Sequence, residues 1–169
     1  MPHTANPAPA MNPTQTRGNR ICQKIIWLVL EADPPNRLDA EIDSMTSWVV
    51  DRLGVDVPMH FTAFHPDFKM RDRPPTPPAT LTRARRIAIS NGVRFAYTGN
   101  VHDGDGGTTT CPSCGLVLVR RDWYVLSEYR LTDDGRCGRC GESLPGVFDG
   151  PVGDWGAKRL PVRLAEAAP

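Results

Sequence analysis

Apolar runs and helical apolar spacings alternate along the first two thirds of the chain. Ile25-Ile26-Trp27-Leu28-Val29-Leu30 is continuous, apolar and largely β-branched, the pattern of a buried strand. Asp33-Pro34-Pro35-Asn36 reads as a loop. Ile42, Met45, Val49 and Leu53 then recur at near-helical spacing before Gly54, so a helix is expected over Asp39 to Leu53. Val57 to Phe64 reads as a second strand with two fairly apolar faces, as in a sheet covered by helices. A polar loop, His65 to Pro75, follows. Thr76-Pro77 is a helix start, a hydroxyl cap before a proline at the first helical position. Leu81, Ala84, Ile87 and Ala88 make that helix's buried face, and Asn91-Gly92 ends it. Val93 to Thr98 alternates apolar with polar and is the third strand.

Strand, helix, strand, helix, strand is the order of a parallel α/β unit. Ligand sites in such folds lie at the C-terminal ends of strands, here Ala63-Phe64-His65 and Tyr97-Thr98-Gly99-Asn100. Beyond Asp103-Gly104-Asp105-Gly106-Gly107, expected to be a flexible hinge, the pattern changes. Two cysteine pairs bracket short β-like runs, Leu116 to Val119 and Tyr124 to Leu126, and a turn at Asp133-Asp134-Gly135.

Both pairs have the form Cys-x-x-Cys-Gly: Cys111-Pro-Ser-Cys114-Gly115 and Cys137-Gly-Arg-Cys140-Gly141. Two intervening residues let both sulfurs of a pair face one ion. The following glycine accepts the positive φ that closes the turn, and backbone N–H groups can then point at the thiolates. The 22 residues from Gly115 to Arg136 separate the pairs, a four-cysteine zinc spacing. Cys111, Cys114, Cys137 and Cys140 are therefore the expected ligands of one structural zinc. Rubredoxin-like iron and an auxiliary iron–sulfur cluster use the same thiolates, and a redox disulfide pair is the remaining alternative. Four protein ligands leave a tetrahedral ion no open position, which argues against a catalytic metal. Cys22 stands alone.

Composition bounds the setting. The 17 prolines and 15 glycines of the 169 residues fall in clusters, marking loops and linkers. Met1 to Arg20 holds four prolines and few apolar residues, too little to offset its ordering entropy, so residues 1–20 are expected to be disordered. The net charge of +1 gives no long-range attraction to nucleic acid or anionic lipid. No apolar run approaches the ~20 residues of a membrane span, nor the roughly 7–15 of a signal-peptide core. A cytoplasmic chain with reduced cysteines is expected.

Other candidate groups cluster at the strand ends. His60, His65, Asp67 and Lys69 surround the end of the second strand, and Gly99-Asn100-Val101-His102-Asp103 follows the third. His60 lies inside a strand and reads as structural, while His65 is equally suited to a structural or a ligand-contacting role. The sequence has no glycine-rich phosphate fingerprint, nucleophile elbow or paired-carboxylate arrangement.

Several motifs together carry a family resemblance. They are His60-Phe-Thr-Ala-Phe-His-Pro-Asp-Phe-Lys-Met70, Arg73-Pro-Pro-Thr-Pro-Pro78, Tyr97-Thr-Gly-Asn-Val-His102, the two Cys-x-x-Cys-Gly pairs and Pro145-Gly-Val-Phe148. From about Asp39 to Trp155 the chain resembles the C-terminal part of radical S-adenosylmethionine (SAM) enzymes of the AmmeMemoRadiSam system, which are similar to pyruvate formate-lyase activating enzymes. The resemblance implies a partial (β/α) barrel, a [4Fe–4S] cluster and cleavage of SAM to a 5′-deoxyadenosyl radical. It places His65 at the position that contacts SAM. The family's Cys-x-x-x-Cys-x-x-Cys cluster motif has no counterpart here, and the 78 residues from Ile21 to Thr98 are far fewer than the roughly 200 of a whole barrel.

The expected organisation is a tail over 1–20, a partial barrel of about three parallel strands and two helices over 21–103, a zinc ribbon over 108–150 and a tail over 151–169. Such a chain is expected to be inactive alone, as a truncated or split gene product or one with a misplaced start. Its expected partner is a separate N-terminal radical SAM half. The competing expectation is a small zinc-ribbon module that recruits a protein. An open sheet with an exposed apolar face is also expected.

Overall fold

The computed structural model describes residues 26–30 and 35–148. Strand β1 (Ile26–Leu30) pairs in parallel with β2 (Met59–Ala63), and β2 pairs in parallel with β3 (Ala96–Gly99), giving the order β1-β2-β3. Helices α1 (Pro35–Leu53) and α2 (Pro78–Ser90) make the two crossovers. A second sheet follows, with β4 (Thr109–Thr110), β5 (Val117–Asp122) and β6 (Val125–Tyr129) antiparallel in chain order. The expected tails, together with Cys22, lie outside the described residues.

The alternation in β2 decides which face meets the helices. Met59, Phe61 and Ala63 are buried, with Met59 and Phe61 fully enclosed. Leu38, Ile42 and Val49 of α1 and Leu81, Ala84 and Ala88 of α2 join them in one core. Both helices therefore cover the same face of the sheet. Enclosing Met59 and Phe61 contributes roughly 1.5–3 kcal/mol each. The helices are also tied to each other. The buried Thr46 hydroxyl donates to the Ile42 carbonyl at 2.8 Å and accepts from the Asn91 amide at 2.7 Å, while Arg83 meets Asp39 at 2.6 Å.

Boundaries depart from the sequence reading in informative ways. Helix α1 begins at Pro35 rather than Asp39, since a proline fits the first helical position without losing a needed donor. β2 and β3 are shorter than the runs that announced them, whereas β5 and β6 are longer than theirs. Thr76 does not cap α2, whose N-cap is Pro77 with no side-chain cap. Instead Thr76 bridges to Phe64: its Oγ1 accepts the Phe64 N–H at 2.9 Å, and its own N–H donates to the Phe64 carbonyl at 3.0 Å. The loop after β2 is thereby pinned back to the strand end.

One expectation about openness is corrected outright, and a second is corrected at β3 alone. The segment 103–107 is a bonded turn rather than a free hinge. The Asp103 carboxylate accepts from the Thr98 hydroxyl at 3.0 Å and the Gly106 N–H at 2.9 Å, and the Gly106 carbonyl accepts the Thr98 N–H at 3.1 Å. That last bond, and the Arg85 Nε donating to the Ala96 carbonyl at 2.9 Å, occupy part of the outer edge of β3. Occupying edge groups in this way leaves fewer of them to template strand addition. The face of β3 away from the helices is also covered. Phe95 and Tyr97 form a second core with Cys111, Leu118, Cys137 and Leu144. The cysteine-bearing segment is thus packed onto the sheet.

Candidate metal centre

Each cysteine pair sits in a tight turn, and the two turns repeat one hydrogen-bond pattern. In the first, the Cys111 N–H donates to the Leu116 carbonyl at 2.8 Å and the Gly115 N–H to the Cys111 carbonyl at 2.9 Å; in the second, Cys137 donates to Glu142 and Gly141 to Cys137 at the same two distances. Gly115 and Gly141 adopt φ of 69° and 75°, the left-handed backbone that glycine enters without a Cβ penalty. The sequence anticipated this from the glycine after each pair.

The turns bring four sulfurs together, all within 4.8 Å of one another. Cys111 Sγ lies 3.6 Å from Cys140 Sγ, and Cys114 Sγ 3.7 Å from Cys137 Sγ. Disulfide sulfurs would be about 2.05 Å apart. Four thiolates about 2.3 Å from a central tetrahedral ion would be about 3.8 Å apart. The spacing therefore matches a metal such as zinc and not two disulfides. Cys111 and Cys137 are buried, and Cys140 faces solvent.

The electrostatics point the same way. The Leu116 N–H and the Arg139 side chain lower the Cys114 thiol to about 6. The Cys140 and Arg139 N–H groups lower Cys137. The Glu142 N–H favours the Cys140 thiolate, but local desolvation on its sulfur-facing side and the other three sulfurs outweigh it, and Cys140, though exposed, is pushed up to about 12. Four clustered thiols cannot all ionise against one another. A bound dication removes that conflict and completes the ligand set.

Arg139 was not singled out in the sequence. It stands inside the second turn, reaches across to hydrogen-bond the Cys114 carbonyl and has its own pKa raised by Cys114. A basic residue between two ligand cysteines was the available signal.

The strand-end residues are dispersed. His65 is exposed and makes no hydrogen bond or ring contact among the described residues. His60 is half-buried on the face away from the helices, its ring centroid 5.0 Å from that of Tyr97. Burial first, and the nearby Arg121 second, lower its pKa. Arg121 lies over the other partner, 5.0 Å from the Tyr97 ring centroid. Thr62, beside His60 on this face, has a buried Oγ1 with no hydrogen-bond partner among the described residues. Asn100, at φ 58°, ties the ends of two strands by donating to the Ala63 carbonyl at 3.4 Å. His102 bonds Asp122 at 3.1 Å, and its ring lies tilted against Trp123 with centroids 5.5 Å apart.

The β5–β6 hairpin carries an apolar tip that sequence reading did not mark. Trp123, Tyr124, Val125 and Leu126 are 52, 65, 67 and 40% exposed. Trp123 holds a φ of 52°, unusual for so large a side chain. Among the described residues no helix is long and apolar enough to cross a membrane.

No family model matches the chain, and no solved structure does. Over 100 residues it is 43% identical to the uncharacterized protein MJ0808 of Methanocaldococcus jannaschii. That stretch covers 57% of this chain and 29% of the longer relative.

Proposed function

We propose that this chain is the zinc-stabilised C-terminal portion of a radical SAM enzyme of the AmmeMemoRadiSam type. The observation that supports this most is the arrangement of the parallel sheet. Its strands run in chain order, and both crossover helices lie on one face. A (β/α) barrel keeps its helices outside and turns its other face inward. In this reading β1, β2 and β3 are a sector of that wall, with His60 and Thr62 facing the interior and the cysteine-bearing segment packed over Phe95 and Tyr97 at β3. The motifs around His60 to Met70 and Tyr97 to His102 support the same assignment, since a zinc ribbon does not require them.

Zinc fits the four-cysteine centre, with no protein-free coordination position and hence a structural role. A SAM-cleaving [4Fe–4S] cluster does not fit these residues. It needs three cysteines and an open iron, whereas the described residues hold only the four-cysteine group and the fifth cysteine of the sequence is Cys22. In this reading the cluster belongs to polypeptide outside this sequence. The side of β1 away from β2, which no described strand pairs, is where such polypeptide would add its strands, and His65, exposed just beyond β2, is the residue offered to SAM.

The test uses the longer archaeal relative and this chain side by side. After anaerobic iron–sulfide reconstitution with a strong reductant, the relative should release 5′-deoxyadenosine from SAM. So should a chimera carrying this chain's residues over the matched stretch. This chain alone should release none. A reconstituted relative that stays at the no-protein background, or cleavage by this chain alone, would overturn the reading.

The exposed tip from Trp123 to Leu126 favours a second reading, a zinc-ribbon module that recruits a protein partner through that tip. An intact relative that carries no SAM chemistry would leave this reading standing in place of the first.

A further inference from the structure

A cleft of about 280 Å³ runs along the outer edge of β3, between the C-terminal end of α2 and the strand β4. Its wall on the helix side carries Arg85, and Arg94 stands at the loop between α2 and β3. Thr108, Thr109 and Thr110 line the opposite side, and no carboxylate lines it among the described residues. Arg94 is held by Asp56 at 3.1 Å. Arg85 is different. It is partly buried, its Nε donates to the Ala96 carbonyl at 2.9 Å, and it has no ion-pair partner among the described residues. A cation withdrawn from water without a counter-charge is costly, and a guanidinium is shaped to give two parallel hydrogen bonds to an oxyanion.

The surrounding groups are donors as well. Ala96 pairs with Met59 in a register that directs its own N–H away from β2 and toward this edge, where no described residue accepts it. At the helix end opposite, three carbonyls are already satisfied. The carbonyls of Ile87, Ala88 and Ile89 are taken by the N–H groups of Asn91, Val93 and Gly92. The remaining wall, with Ile89, Val93 and Pro112, is apolar. The volume exceeds what one oxyanion needs and approaches the lower bound of small-molecule sites, about 300 Å³.

We propose that this cleft binds the phosphate group of a small phosphorylated ligand, with Arg85 as the anchoring residue. Arg94 and the Ala96 N–H support it, and the apolar wall takes the ligand's organic part. The cleft borders the first cysteine turn at Pro112 but none of the four cysteines and not His65 line it, so it stands whether or not the radical SAM reading holds.

The zinc-loaded full chain, labelled with 15N, would be titrated with inorganic phosphate and, separately, with glycerol 3-phosphate, against chloride at equal ionic strength. Amide shifts should saturate at Ala96 and at Thr108 to Thr110. Glycerol 3-phosphate should bind more tightly than phosphate. Arg85→Gln should weaken binding about tenfold or more, the loss expected for a charged hydrogen-bond donor. Arg94→Gln, at an exposed position whose loss the fold tolerates, should weaken it severalfold, and Arg52→Gln on α1 should leave it unchanged. Three results would overturn the proposal: shifts that chloride reproduces, shifts that do not saturate, or an affinity indifferent to both Arg94→Gln and a folded Arg85→Gln. If Arg85→Gln does not fold, the Arg94→Gln result decides alone.

Discussion

Cys111→Ser should abolish stoichiometric zinc binding and detach the ribbon from β3. Cys111 is buried in the same cluster as Phe95, Tyr97, Leu118 and Leu144, so metal and packing are lost together. Structural zinc supplies roughly 10–16 kcal/mol of apparent binding free energy to small folds, far above what this second core can replace. Serine leaves three thiolates and a poor fourth ligand. The expected observations are zinc content well below one per chain, a hydrophobic-dye signal from the uncovered Phe95 and Tyr97, and loss of protected amides from Cys111 to Leu144. The first core, around Met59 and Phe61, contains none of the cysteines and should keep its protected amides in α1 and α2. A variant with full zinc and an unchanged amide pattern would mean that the centre does not hold the ribbon in place.

Gly135→Ala should have the next largest effect. Gly135 is buried at φ 76°, and a Cβ there would collide with the Phe148 ring. Its N–H donates to the Thr132 carbonyl at 2.9 Å, and its own carbonyl accepts the Leu144 N–H at 3.0 Å. Alanine in the left-handed region costs about 1–2 kcal/mol, and displacing a packed side chain costs about 1–3 kcal/mol more. The turn between β6 and the second cysteine pair would open, and Phe148 would leave its cover over the second core. Thermal unfolding followed by ribbon amides should shift down by many degrees, with weaker zinc retention against a chelator. Gly54→Ala meets no atom within 4 Å of its Cβ and pays only the φ penalty, so it is the control. Equal shifts for the two would remove the steric argument.

How much of this was legible beforehand depends on the range of the interactions. The cysteine spacing and the glycine after each pair specify a local turn, so both turns and their convergence into one four-sulfur group were readable. The same holds for the two helices, since Ile42 and Val49, or Leu81, Ala84 and Ala88, mark one face by period alone. What was not readable required contacts between distant segments. The alternation of Val93 to Thr98 announced a strand, but not that Phe95 and Tyr97 would be covered by Leu118 and Leu144 rather than left exposed. Three glycines in five residues suggested a hinge over 103–107. The Asp103 carboxylate, bonded to Thr98 and Gly106, makes it a fixed turn instead. Thr76 looked like a helix cap because hydroxyls before prolines often are, yet the competing partner was Phe64, twelve residues away. The apolar hairpin tip was noted only as strand-forming residues, since exposure depends on what does not pack against it.

X-ray absorption at the zinc edge of the purified, unmodified chain tests the central claim most directly. The account predicts one zinc per chain with four sulfur neighbours at about 2.3 Å and no oxygen or nitrogen neighbour. Zinc with a lighter atom in its first shell, or iron in its place, would contradict it.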